Sequence, residues 1–190
     1  VSGNDYRVTL KLFRDCANGG AGFDNSVRMT VYENGTNSLV TQFNMSRKGI
    51  TSLVLGDECY TPPSSVCMEE GIYSELVTFS SNPNGYYMAW ERCCRSPLNL
   101  NIENSQSMVF YAQMADPALG NSTPRFGNYP VNGYMCTGIT NYFDFDVSDI
   151  DGDDLVYSLI TPLNGSATGP GNPQSNFAGT KPYNPVVWET

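Results

Sequence analysis

With 190 residues, 40% of them hydrophobic and 12% aromatic, the chain is long enough for one large domain, or for one domain and part of a second. Its net charge of −9 and pI near 4.3 speak against nucleic acid or an anionic membrane as partners, because both are held by Lys and Arg. The absence of histidine removes the usual general base, the commonest zinc ligand and any Ser-His-Asp triad, so the chain reads as a non-enzyme.

The apolar pattern runs mostly at period two. Tyr6, Val8, Leu10 and Leu12 alternate with Arg7, Thr9 and Lys11, and Val27, Met29 and Val31 alternate with Arg28, Thr30 and Tyr32. Both stretches predict strands with one buried face. Further strands are expected over 39–45, 51–55, 72–79, 86–94 and 108–114, each bounded by Gly, Asn, Pro or Ser. Asn34-Gly35 sits between two of them and predicts a hairpin turn. Residues 99–106 and 116–133 read as loops, the second a crossover carrying Pro117, Pro124 and Pro130. Two more strands are expected over 142–147 and from Leu155 to Ile160, and a last one from Val186. The fold class is therefore all-β, an antiparallel β-sandwich of the Ig-like or jelly-roll-like kind. Residues 1–137 form its disulfide-bearing domain, and 138–190 begin a second β module that looks incomplete. Both ends read as cut, and no signal peptide or transmembrane run is visible, so a segment of a longer processed protein is expected.

Six cysteines occur: Cys16, Cys59, Cys67, Cys93, Cys94 and Cys136. Their spacing does not suit a zinc site, which wants paired C-x-x-C. Disulfides and an oxidising, extracellular compartment are the expectation, with free buried thiols the plainer alternative. Cys93 and Cys94 are adjacent on a strand and so face opposite sides. Cys59 and Cys67 flank the rigid Thr61-Pro-Pro63 turn. The expected pairs are Cys59–Cys67, Cys16–Cys94 and Cys93–Cys136.

The sharpest local feature is Asp149-Ile-Asp151-Gly152-Asp153-Asp154. Alternate carboxylates on a tight turn present several hard oxygens, which is what calcium takes. Asp149, Asp151 and Asp153, with Asp146 close in sequence, are the candidate ligands. Gly and Glu are missing from the positions an EF-hand loop requires. An empty acidic hairpin turn is the plainer alternative. Glu69-Glu70, or Glu91 with Asp15, are the only hints of a glycosidase carboxylate pair. Trp90, Tyr86, Tyr87 and Tyr111 are candidates for a glycan platform, although strand aromatics more often fill a core. Arg92 and Arg95 are placed to pair with Asp15 or Glu91. Asn34, Asn44, Asn121 and Asn164 each head an Asn-x-Ser/Thr sequon.

Several blocks recur together as in a known family. They are Tyr6-Arg-Val-Thr-Leu10, Phe13-Arg-Asp-Cys16, Gly22-Phe-Asp-Asn25, Cys59-Tyr-Thr-Pro-Pro63, Val66-Cys-Met-Glu69, Gly85-Tyr-Tyr87 and Glu91-Arg-Cys-Cys-Arg95. Across most of 4–137 the chain resembles the N-terminal region of large secreted surface proteins of Bacteroidetes, often described as gliding-motility-associated. The stretch from Phe145 to Ser158, with Val187-Trp188, resembles the start of a cadherin-like or PKD-like module, whose Asp-x-Asp-Gly-Asp segment binds calcium. The resemblance implies export by type IX secretion to the cell surface, and a structural or adhesive role, as in a filament subunit. The implied partners are neighbouring domains or subunits of the same protein, with no nucleic acid and no direct membrane insertion. A carbohydrate-binding module that meets glycans through surface aromatics is the alternative.

Overall fold

In the computed structural model of the chain the described residues are 3–18, 20–56, 61–92, 107–127, 138, 140, 142 and 146–158. About half of them lie in strands, and the fold is all-β and β-sandwich-like, as the period-two pattern predicts. Strands β1 (Asp5–Asp15), β2 (Ser26–Glu33), β3 (Leu39–Ser52), β4 (Met68–Thr78), β5 (Tyr86–Arg92) and β6 (Met108–Met114) form one antiparallel sheet in the order β1-β4-β3-β2-β5-β6. Strands β7 (Arg125–Phe126) and β8 (Val147–Ser148) form a second, two-stranded sheet. Among the described residues no helix is long and apolar enough to cross a membrane.

By compactness the chain divides into two units. The first holds β1, β4, the C-terminal part of β3 and the β7–β8 pair. The second holds most of β2, the N-terminal part of β3, β5 and β6.

In the first unit β1 pairs with β4 along its whole length, from Asp5 opposite Thr78 to Asp15 opposite Met68. Because successive side chains point to opposite faces, this register sends Val8, Leu10 and Tyr73 inward together and Arg7, Thr9 and Lys11 outward. Met45 and Val27 join the buried set, and Met45 and Tyr73 have no exposed surface. On the other face Thr9 and Ser74 meet through their hydroxyls, and Lys11 pairs with Glu70 at 3.7 Å. Near the start of β1, Tyr6 packs edge-on against Phe79 and donates its hydroxyl to the Pro117 carbonyl at 3.2 Å.

In the second unit β5 is buried from Tyr86 to Trp90. Tyr32 of β2 stacks on Tyr87 with centroids 4.9 Å apart, and Tyr87 donates its hydroxyl to Asn37 Oδ1 at 2.9 Å. The hairpin expected at Asn34-Gly35 joins β2 to β3, with the Glu33 amide bonded to the Ser38 carbonyl and both Gly35 and Asn37 at positive φ. Glu33 holds the next turn to this one. Its carboxylate accepts bonds from Thr36, Asn84 and Asn82, which lower its pKa in that order of weight.

Gly85 closes the turn before β5 at φ +68°, and a Cβ there would run into the Met114 carbonyl. Both the left-handed backbone and the collision penalise any side chain. Gly85→Ala is expected to destabilise the chain by about 2–3 kcal/mol, read as a lower urea midpoint at unchanged slope.

Four elements differ from the sequence reading. Of the strand expected over 142–147, Tyr142 and Asp146 lie outside any strand and Val147 opens β8. The strand expected over 51–55 is the end of β3, which runs on through a bulge between Arg47 and Gly49 where Lys48 is the extra residue. Residues 155–158 form no strand, and Val156 lies open to solvent. The loop 116–133 carries a short 3-10 turn, Pro117–Leu119, and β7. The expected boundary near 137, the strand from Val186 and most of 138–190 lie outside the described residues.

Candidate functional site

Three sequence blocks, Phe13–Cys16, Gly22–Asn25 and Val66–Glu69, meet at one end of the β1–β4 ladder. Past Asp15 and Met68 the next cross-strand pair is Cys16 and Cys67. The Cys16 amide bonds the Cys67 carbonyl at 3.0 Å, and the two residues form a disulfide with their Cα atoms 5.1 Å apart. This corrects the expected Cys59–Cys67 and Cys16–Cys94 pairs. Short sequence spacing favoured Cys59, but the antiparallel register of β1 on β4 decides the partner of Cys67. Cys59, Cys93, Cys94 and Cys136 lie outside the described residues, and the expected Cys93–Cys136 pair with them.

Beyond the disulfide the chain makes a loop from Ala17 to Asn25 that is pinned back onto the sheet. Asp15 Oδ1 accepts the amides of Ala17 and Asn18 at 2.8 and 3.0 Å, which turns the chain out of the strand. These bonds, Asn18 first, hold the Asp15 carboxyl below its ordinary pKa. The Phe23 ring covers Gly71, where a Cβ would come within 3.1 Å of three ring carbons. Only glycine lets the ring lie so close to the strand. Arg14 reaches over that ring at 5.6 Å, pairs with Glu69 at 2.9 Å and donates to the Ala21 carbonyl at 3.0 Å. Arg47 donates to the carbonyls of Phe23 and Asp24 and to Asn25 Oδ1, and the Tyr73 hydroxyl donates to the Asp24 carbonyl at 2.8 Å. Between these anchors Ala17, Asn18, Gly20, Ala21 and Gly22 are exposed. The result is a small-residue loop presented on a rigid support, the arrangement in which loops commonly make contacts.

Sequence reasoning did not single out Arg14, Phe23, Arg47, Gly71 or Tyr73 as a cluster. Part of the signal was present: Phe13-Arg-Asp-Cys16 and Gly22-Phe-Asp-Asn25 supply Arg14 and Phe23, and Val66-Cys-Met-Glu69 supplies the Glu69 that Arg14 pairs with.

The acidic turn is ordered by its own first residue. Asp149 Oδ1 accepts the amides of Asp151, Gly152 and Asp153 at 2.8, 3.1 and 3.4 Å. Asp151 Oδ2 accepts the Ser122 amide at 2.6 Å. Asp146, at φ 40°, lies with its carboxylate against Gly127, whose amide bonds the Asp146 carbonyl at 2.7 Å. The second oxygen of Asp149, Oδ2, is buried and has no hydrogen-bond partner among the described residues. Among the described residues no three Asp, Glu or Cys side chains converge on one centre.

The other candidates are dispersed. Glu69 and Glu70 are neighbours on β4, so they point to opposite faces, and each is paired with a cation of β1. Asp15 is spent on its turn. Glu91 is pushed above its ordinary pKa by burial. Trp90, Tyr86 and Tyr87 are buried, so of the four platform aromatics only Tyr111 is well exposed, at 42%. Arg95 and Asn164 lie outside the described residues. Asn44 is exposed, whereas Asn34 donates its amide to the Met114 carbonyl at 3.5 Å. No protein-family model, no curated protein and no solved structure matches the chain.

Proposed function

We propose that the chain is an extracellular structural and adhesive module of a large bacterial surface protein of the gliding-motility-associated kind. The observation that supports this most is the pinned loop beside Cys16–Cys67. A disulfide closes the edge ladder, and five further contacts hold an exposed loop of small residues in place. A rigid loop on a disulfide-closed sheet suits contact with a neighbouring domain or subunit under oxidising conditions. Brief protease treatment of intact host cells tests the location and the role together. The expected result is loss of the full-length protein and of surface attachment with the cells intact. A protein that survives until the cells are lysed sinks the reading.

The same proposal includes a calcium ion at the acidic turn. The buried, unpartnered Asp149 Oδ2 is an oxygen suited to a hard cation, and Asp151, Asp153 and Asp146 stand near it in sequence as further oxygen donors. Ligation by Asp151 Oδ2 competes with its bond to the Ser122 amide, so binding reorganises that contact. Millimolar calcium is expected to raise the melting temperature by a few degrees, since a ligand of the folded state stabilises it. Asp149→Asn is expected to abolish that rise. Equal melting curves with calcium and with chelator overturn the calcium part alone.

A further inference from the structure

The two outer strands of the large sheet differ in kind. β1 carries Asp5, Arg7, Lys11, Arg14 and Asp15, and edge strands bearing charges resist pairing with foreign strands. β6 reads Met-Val-Phe-Tyr-Ala-Gln-Met, with no charge, no proline and no glycine. It stands last in the strand order, with β5 as its only sheet neighbour among the described residues. Its residues 110–113 are exposed, Phe110 at 39% and Tyr111 at 42%. In a chain of net charge −9, seven consecutive uncharged residues on an outer strand, with the strong strand formers Val109, Phe110 and Tyr111 among them, form a ready pairing template.

We infer that β6 is a self-association edge, pairing antiparallel with β6 of a second copy of this chain about a two-fold axis at Tyr111. The inference stands apart from the proposed surface role. Three features of the strand single out a second copy. First, the register centred on Tyr111 pairs all seven residues, and any shift leaves some unpaired. Second, on the face shared with Trp90, whose ring lies 5.4 Å from that of Phe110, the register sets Phe110 of each copy opposite Ala112 of the other. A large side chain then meets a small one twice, which is how cross-strand neighbours pack without collision. Third, the two-fold axis sets Tyr111 opposite its own image and the residues beside it close to theirs, where like charges would repel, and β6 carries no charge. The association closes at two copies and completes the backbone hydrogen bonding of both edges.

Sedimentation velocity on the 190-residue chain, over concentrations from low micromolar to near millimolar, tests the inference. The wild type is expected to pass from monomer to dimer. Tyr111→Lys and Tyr111→Glu each place like charges face to face at the axis and are expected to weaken the dimer by about tenfold or more, while keeping the wild-type melting temperature within a few degrees. Mixing the two variants is expected to restore a dimer of one copy of each, because only in the two-fold register does the lysine of one variant face the glutamate of the other. A wild type that stays monomeric throughout overturns the inference and leaves the edge to a foreign strand. Variants that dimerise as well as the wild type, or a mixture that stays monomeric while both variants melt as folded proteins, overturn it equally.

Discussion

Replacing both Cys16 and Cys67 by serine is expected to lower the melting temperature by roughly 10 °C. The disulfide spans a sequence separation of 51, and closing a loop of that size in the unfolded chain is worth about 4 kcal/mol. For a chain of this length each kcal/mol moves the midpoint by about 2–4 °C. The placement of the bond concentrates its effect. β1 is an outer strand whose sheet neighbour is β4, so β1 leaves the sheet by fraying from one end or the other. At the Asp5 end Asn4, Tyr6 and Thr78 hold it through the Phe79 amide, the Pro117 carbonyl and the Asp5 carboxylate. At the Asp15 end the disulfide holds it. Hydrogen exchange in the double variant is therefore expected to speed up first at residues 12–15 and 68–71, and to leave β5 and β6 unchanged. A fall in melting temperature of less than about 3 °C would show that the ladder and the Arg14–Glu69 pair carry that end without the covalent bond.

The same corner shows what local sequence reveals and what it hides. Strand identity is a property of alternation, and the alternation at Tyr6–Leu12 and Val27–Tyr32 appears as β1 and β2. The Asn34-Gly35 turn is equally local, since two consecutive residues able to adopt unusual φ are enough to mark it. Disulfide partners are not local. They follow from which strands lie side by side, and β1 pairs with β4 rather than with its neighbour in sequence. Once that register is known, Cys16 opposite Cys67 follows without further assumption. The continuity of β3 was hidden for another reason. Lys48 and Gly49 interrupt the alternation like a turn, yet the chain absorbs the extra residue as a bulge and pairing resumes at Gly49 opposite Ile72. Aromatic residues mislead in the opposite direction. Trp90, Tyr86 and Tyr87 have the composition of a binding platform, but β5 lies between β2 and β6 and is buried at consecutive positions, so both of its faces are covered. The acidic turn was legible as a turn and as a carboxylate cluster. That Asp149 Oδ1 would be consumed by three backbone amides, leaving Oδ2 as the buried oxygen, depends on loop conformation and is not written in the spacing.

Tyr73→Ala is expected to be the most damaging single substitution in the first unit, at about 3–5 kcal/mol. The ring has no exposed surface, sits opposite Leu10 in the ladder and is buried together with Val8 and Met45. Its loss leaves a cavity that the strands cannot close without breaking register. Its hydroxyl also supports the pinned loop through the Asp24 carbonyl. Tyr73→Phe separates the two roles: it keeps the ring and removes one hydrogen bond, for an expected loss of about 1 kcal/mol. Arg47 donates to the same Asp24 carbonyl and to its neighbour Phe23. With either donor gone the other still reaches the carbonyl, so each single change is buffered. Tyr73→Phe combined with Arg47→Ala removes both, and the combined loss is expected to exceed the sum of the single losses by about 0.5–2 kcal/mol. Urea denaturation of the wild type, the two single variants and the double variant measures this directly. Simple additivity would mean that Tyr73 and Arg47 hold separate parts of the loop, and that the loop from Ala17 to Gly22 is fixed mainly by Arg14, Phe23 and the disulfide.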